Sequence, residues 1–157
     1  MQKITPFLWF NDAAETAANY YVSVFADAKI LNVARYGESG PGPAGTAMTV
    51  AFRIMGQDFV ALNGGPIYTF TPAISFVINC ETQEEVDHYW EKLSAGGEEV
   101  QCGWLKDQFG VSWQVVPTIL SQLMSDPDPI KSQRVMKAML QMKKINIAEL
   151  QNAYDAQ

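Results

Sequence analysis

At 157 residues, 48% hydrophobic and 18% charged, the chain carries enough apolar side chain for a packed core, which excludes a disordered segment. Its net charge of −6 leaves no basic stripe to neutralise phosphates, so nucleic acid and anionic membrane surfaces are excluded as partners. There is no secretory leader and no apolar run near the roughly 18 residues of a bilayer crossing, which predicts a cytoplasmic protein. Two cysteines, Cys80 and Cys102, are too few for a disulfide framework and read as thiols.

Ile4–Phe10 is apolar and aromatic and reads as a strand. Asp12 reads as a helix cap, with Glu15 three residues on. Ala14, Ala17, Ala18, Tyr21, Val22 and Phe25 then form one apolar stripe at helical spacing. Lys29–Tyr36 is a second strand. Gly37–Gly45 is a Gly/Pro loop without periodicity. Ala47–Met55 and Phe59–Leu62 are strands joined by a turn at Gly56-Gln57-Asp58, and Asn63-Gly64-Gly65-Pro66 ends the pair.

The pattern then restarts. Ile74–Cys80 is a strand, and Thr82 with Glu85 makes a capping box. Val86, Tyr89, Trp90 and Leu93 stripe a second helix, which Gly96-Gly97 ends. Strands over Glu99–Trp104, Leu105–Phe109 and Ser112–Val116 follow. A strand–helix–strand–strand–strand unit thus occurs twice, an internal repeat. The caps Asp12 and Thr82 stand 70 residues apart, which makes Thr5 equivalent to Ser75. The last hairpins align at an offset of 54, which makes Val60 equivalent to Gln114. Beyond Pro117 the expectation is helical: Thr118–Met124, a break at Asp126-Pro127-Asp128-Pro129, Ile130–Lys144, and a last amphipathic turn or two marked by Ile147, Leu150 and Tyr154. This tail reads as a cap on the sheet or as a subunit contact.

The fold class expected is α+β: two βαβββ repeats (1–66 and 72–117) forming curved mixed sheets, plus a C-terminal helical extension (118–157), all in one domain. Such a duplication, with the stretches Ile4–Phe10, Asn63–Pro66, Gln101–Asp107, Phe109–Pro117 and the tail segments Arg134-Val135-Met136, Ala138-Met139-Leu140 and Met142-Lys143-Lys144, resembles the vicinal oxygen chelate superfamily of glyoxalases, extradiol dioxygenases and bleomycin-resistance proteins. It looks most like the PhnB-like branch, whose members are often labelled 3-demethylubiquinone-9 3-methyltransferase. The resemblance implies two curved four-stranded sheets, each wrapping a cavity, and a homodimer.

In the metal-using members of that superfamily, four ligands come from paired strands of the two repeats. The matching positions here are Thr5, Val60, Ser75 and Gln114. Two hydroxyls, an apolar side chain and an amide are poor ligands for a divalent ion, so no metal and no cofactor are expected. The cavity candidates are Thr5, Trp9, Asn63, Ser75, Cys102, Trp113 and Gln114. Gln114 reads either as a group that orients a ligand or as a core glutamine satisfied by backbone. Trp9, Phe52, Phe76 and Trp113 suit a core or a ligand wall. His88, the one histidine, lies off its helix's apolar stripe and reads as a surface residue. Cys102 lacks an activating histidine and reads as an inert thiol. Asp107 reads as a turn former or a pocket-edge acid.

Asn63-Gly64-Gly65-Pro66 precedes another strand rather than a helix N-terminus, which argues against a nucleotide or S-adenosylmethionine loop. The function expected is metal-independent binding of a small molecule. The alternative is an enzyme of the same superfamily, including the labelled methyl transfer.

Overall fold

The computed structural model describes residues 2–157. The chain divides into two units, one ending at Phe70 and one spanning Thr71–Gln157. The first contains β1 (Phe7–Phe10), α1 (Ala14–Val24), β2 (Ala28–Arg35), β3 (Ala47–Ile54) and β4 (Gln57–Asn63), in the sheet order β1-β4-β3-β2. The second contains β5 (Ser75–Cys80), α2 (Gln83–Ser94), β6 (Glu98–Glu99), β7 (Trp104–Lys106) and β8 (Ser112–Pro117), in the order β5-β8-β7-β6. Each sheet is mixed: its first strand pairs parallel with its last, and the other pairs are antiparallel.

The repeat register read from the helix caps and hairpins is the register of the strands. Phe7 pairs with Val60 and Val77 with Gln114, so the first strands are offset by 70 residues and the last by 54. Alternation along the strands then separates two faces. In the first unit Leu8, Phe10, Val50, Phe52, Ile54, Phe59 and Ala61 are buried. On α1, which lies against β3, β2 and β4, Ala14, Ala17, Ala18, Tyr21 and Val24 are buried too. Small side chains at three of these positions let the helix approach the sheet. Phe7, Trp9, Ala51, Arg53, Val60 and Leu62 alternate with the buried set and line the opposite, open face. In the second unit Leu105, Trp113 and Val115 are buried, as are Val86, Trp90 and Leu93 of α2. Ser75, Val77, Trp104, Lys106, Gln114 and Val116 line its open face.

Local chemistry moves several boundaries. Asp12 does not cap α1; the cap residue is Ala13, and Asn63 reaches across from the end of β4 to accept from Ala14 N at 2.8 Å. A side chain from a neighbouring strand thus supplies what the preceding residue was expected to supply, a bond of about 1 kcal/mol. The β3–β4 turn is Met55-Gly56, with φ of 50° and 79°. This is the mirror-image two-residue turn that matches strand twist, so Gln57 and Asp58 already belong to β4. The capping box of α2 forms: Thr82 Oγ1 accepts from Glu85 N at 3.2 Å, and Glu85 Oε2 accepts from Glu81 N at 2.9 Å.

β6 and β7 are shorter than expected, because Cys102 (φ 60°) and Gly103 (φ 82°) turn the chain between them. The tail forms α3 (Thr118–Met124), α4 (Pro129–Met139) and α5 (Ile147–Asp155). The helix expected to run to Lys144 stops at Met139, since Met142 O and Lys143 O accept from Cys102 N and Gly103 N, both at 2.8 Å. The Gln83 amide completes this strap, donating to Ile145 O at 3.1 Å and accepting from Ile147 N at 2.8 Å. A side chain at Gly103 would meet Val115 O at 2.8 Å and Ile145 at 3.1 Å. Leu123, Val135, Met142, Ile145 and Leu150 form the tail's own buried cluster. The tail belongs to the second unit and is tied to the turn before β7 and to α2 rather than laid over the sheet. Among the described residues no helix is long and apolar enough to cross a membrane.

Candidate functional site

On the open face of the second sheet, Ser75 and Gln114 meet. β5 and β8 run parallel, with Ser75 opposite Ser112 and Val77 opposite Gln114. That stagger brings Gln114 Nε2 to Ser75 Oγ at 2.9 Å, and the bond holds the amide plane. Gln114 Oε1 has no hydrogen-bond partner among the described residues, and the side chain is half-buried. Of the two readings of Gln114, the backbone-satisfied one is replaced: its amide is tied to a hydroxyl from the neighbouring strand.

Two residues that the sequence did not single out share this face. Trp104 lies directly across β7 from Gln114, and Lys106 lies across from Ser112. Both are half-buried, and among the described residues neither the Trp104 indole N–H nor the Lys106 ammonium has a bonding partner. The repeat alignment could have found them, because the same register makes them equivalent to Ala51 and Arg53.

The remaining candidates fall elsewhere. Trp113 is 3% exposed, on the buried side of β8, and its indole donates to Asp107 Oδ2 at 2.9 Å. A strand alternates, so Trp113 and Gln114 cannot line one face. Asp107 is buried, and its Oδ1 accepts from Phe109 N at 2.9 Å and from Val111 N at 3.0 Å, which makes it the turn former. Cys102 sits in the turn before β7, half-buried. Cys80 is buried beneath α2, and burial, with help from Glu85, pushes its thiol up to about 11. His88 is exposed on α2, as its place off the stripe implied.

In the first unit, Thr5 is exposed ahead of β1 and Val60 faces the open side of β4. Trp9 donates its indole N–H to Gly65 O at 2.9 Å and packs edge-on against Tyr68 at 5.0 Å. Its ring also covers Gly64, where a Cβ would come within 2.3 Å. Asn63 is fully engaged: besides capping α1, its amide donates to Ala47 O at 3.0 Å, and its carbonyl accepts from Tyr36 Oη at 2.7 Å. It borders an open cleft of about 390 Å³ between the Gly/Pro loop and the starts of α1 and of the Gly64-Gly65 turn. Arg53 is held by Asp58 directly across the hairpin, with Nη2 to Oδ2 at 3.0 Å, and the bond lowers the Asp58 pKa and raises that of Arg53.

The sequence model of the 3-demethylubiquinone-9 3-methyltransferase family matches residues 2–116. The chain belongs to this family. A PhnB protein from Bacillus cereus, described by the same family name, is 40% identical, with a TM-score of 0.70 over 74% of this chain and 100% of that one. A Pseudomonas aeruginosa protein (20% identity, TM-score 0.63, 74% and 98% covered) and the fosfomycin resistance protein FosX from Listeria monocytogenes (16%, 0.52, 78% and 97%) share the fold alone. That fold is the one of the glyoxalase/bleomycin resistance superfamily. No curated protein matches the chain. The family match stops just before Pro117, so α3–α5 lie outside it.

The groups that the family name and fold imply can be set against these residues. A transition-metal ion takes imidazole, thiolate or carboxylate ligands, and the four equivalent positions offer none. Ser75 and Gln114 already bond each other. S-adenosylmethionine is held by a loop that runs from a parallel strand into a helix. Here Asn63-Gly64-Gly65 leads to turns and then β5, and Trp9 fills the space above Gly64. Neither group fits.

Proposed function

We propose that the chain binds a small organic molecule on the open face of the second sheet, oriented by Gln114 and without a metal. The observation that carries this reading is the Gln114–Ser75 bond. It fixes a half-buried amide whose Oε1 is unpaired among the described residues, a preorganised acceptor at the position where metal-using relatives carry a ligand. A preorganised polar group set among apolar side chains, here Val77, Trp104 and Val116, is a common feature of small-molecule sites. Binding uses this acceptor and the neighbouring Trp104 and Val116 surface; it requires no activated nucleophile or base. The burial-raised thiol of Cys80 leaves that group unsuited to attack.

The test is a pair of titrations followed by amide chemical shifts and thermal unfolding. Aromatic fragments should move the Gln114 and Ser75 signals, and Gln114→Val, which copies Val60 of the other repeat, should remove that response without unfolding the chain. Nickel, manganese, zinc and S-adenosylmethionine should leave the melting temperature unchanged. A metal-induced stabilisation that Gln114→Ala abolishes would overturn the metal-free reading. Stabilisation by S-adenosylmethionine would restore methyl transfer.

A further inference from the structure

The two sheets place a cation at the same position and treat it differently. In the first, Arg53 faces Asp58 across the hairpin and is neutralised by it. In the second, the equivalent cation is Lys106, and the residue facing it is Ser112. Where the first sheet sets a carboxylate opposite its cation, the second sets a hydroxyl.

Among the described residues, no acid of the second unit is in an ion pair with Lys106. Asp107 follows it in sequence but is 2% exposed on the other side of the strand, with both oxygens bonded to Phe109 N, Val111 N and the Trp113 indole. Glu99 accepts from the Trp90 indole at 2.8 Å. Glu98 stands opposite Lys106 in register at the exposed sheet edge and forms no ion pair with it. A half-buried ammonium that no carboxylate holds in an ion pair, its one facing acid being the exposed Glu98, is a local site for an anion in a chain of net charge −6.

The neighbours set the rest of the chemistry. Trp104 is two residues from Lys106 on the same face of β7, about 7 Å along the strand, and it is directly across from Gln114. Its indole offers a flat face for ring stacking. Building on the Gln114 site proposed above, we infer that its ligand is a one-ring aromatic molecule carrying an anionic oxygen group. The ring lies on Trp104, the anion reaches Lys106, and a donor on the ring meets Gln114 Oε1. A lysine is a point charge and accepts a carboxylate or a phosphonate alike.

The experiment is a titration of the full chain with benzoate, phenylphosphonate, benzyl alcohol and benzylammonium, followed by the Trp104 indole N–H and Gln114 amide signals. The Trp113 indole, buried and bonded to Asp107, is the internal control. The expected result is that one or both anions bind at least tenfold more tightly than benzyl alcohol and benzylammonium. Which anion leads distinguishes a carboxylate from a phosphonate ligand. Lys106→Gln should erase the preference while benzyl alcohol binds as before. Equal binding of all four probes, or a preference that survives Lys106→Gln, overturns this inference and leaves the Gln114 site standing. If no probe moves the Trp104 or Gln114 signals, both fall.

Discussion

On the sheet of the first unit, Val60 stands where Gln114 stands in the second, Ala51 where Trp104 stands, and the Arg53–Asp58 pair where Lys106 faces Ser112. Strand order and pairing are the same in both. The covered faces obey the same rule too, apolar side chains against an amphipathic helix. Only the open faces have diverged, one toward apolar groups and a closed ion pair, the other toward an unpaired acceptor, an indole and an unpaired cation. Duplication preserves what the core requires, because core positions answer to packing density. The open positions answer to whatever meets them, and there the copies are free to differ.

The hairpins differ in the same way, and the largest expected effect lies there. Met55-Gly56 turns on backbone geometry alone. The equivalent loop in the second unit is one residue longer and is built on the buried Asp107 carboxylate, which holds three N–H groups. Removing a buried acceptor strands its donors at about 1–3 kcal/mol each. Asp107→Ala should therefore lower stability by about 3 kcal/mol or more, seen as a lower urea midpoint. A loss confined to a few tenths of a kcal/mol would mean that the loop holds itself. Asp58→Ala, on the half-exposed pair of the first unit, should have a much smaller effect.

The cysteines let the second unit be followed alone, since both lie in it and the first has none. With its thiol near 11, Cys80 is about one part in a thousand thiolate at about pH 8, and it is buried as well. A disulfide reagent should modify Cys102 within minutes and Cys80 only as the unit opens. Asp107→Ala should speed the second event. Two thiols reacting at one rate in the native protein would contradict the burial of Cys80 between its strand and α2.

How much of this was legible in the sequence follows from which forces are local. The strand and hairpin patterns carried the register of both sheets, because strand alternation and helix stripes are written in consecutive residues; the assumed cap at Asp12 agreed with it although Ala13 is the cap. Asn63 capping α1 was not legible, since the bond joins residues 49 apart in the chain. The Met142–Lys143 strap was missed for the same reason: its acceptors answer to a turn 40 residues earlier. Trp113 was misplaced although period-two alternation with Gln114 already separated them. Lys106 and Asp107 are adjacent in sequence but lie on opposite sides of the strand, so adjacency in the chain hides their separation in space.

The smallest expected effect is on pH dependence, and it too has a counterpart in each unit. Lys144 bonds Asp87 at 2.8 Å and Gln83 adds a second bond, so Asp87 titrates below its ordinary 3.8. In the first unit, Arg53 does the same to Asp58. A carboxylate with a lowered folded pKa contributes stability that is fully present above 3.8 and disappears as the pH falls through the lowered value. Melting temperature followed from about pH 6 to about pH 2 should fall in that acid window, and Asp87→Asn and Asp58→Asn should each flatten the fall. Because both pairs are largely solvated, each flattening should be slight. The Asp87 effect should also appear in Cys80 labelling, because Lys144 belongs to the strap that docks the tail on α2, while the Asp58 effect should not. Equal acceleration of Cys80 by both substitutions would show that the units open together rather than apart.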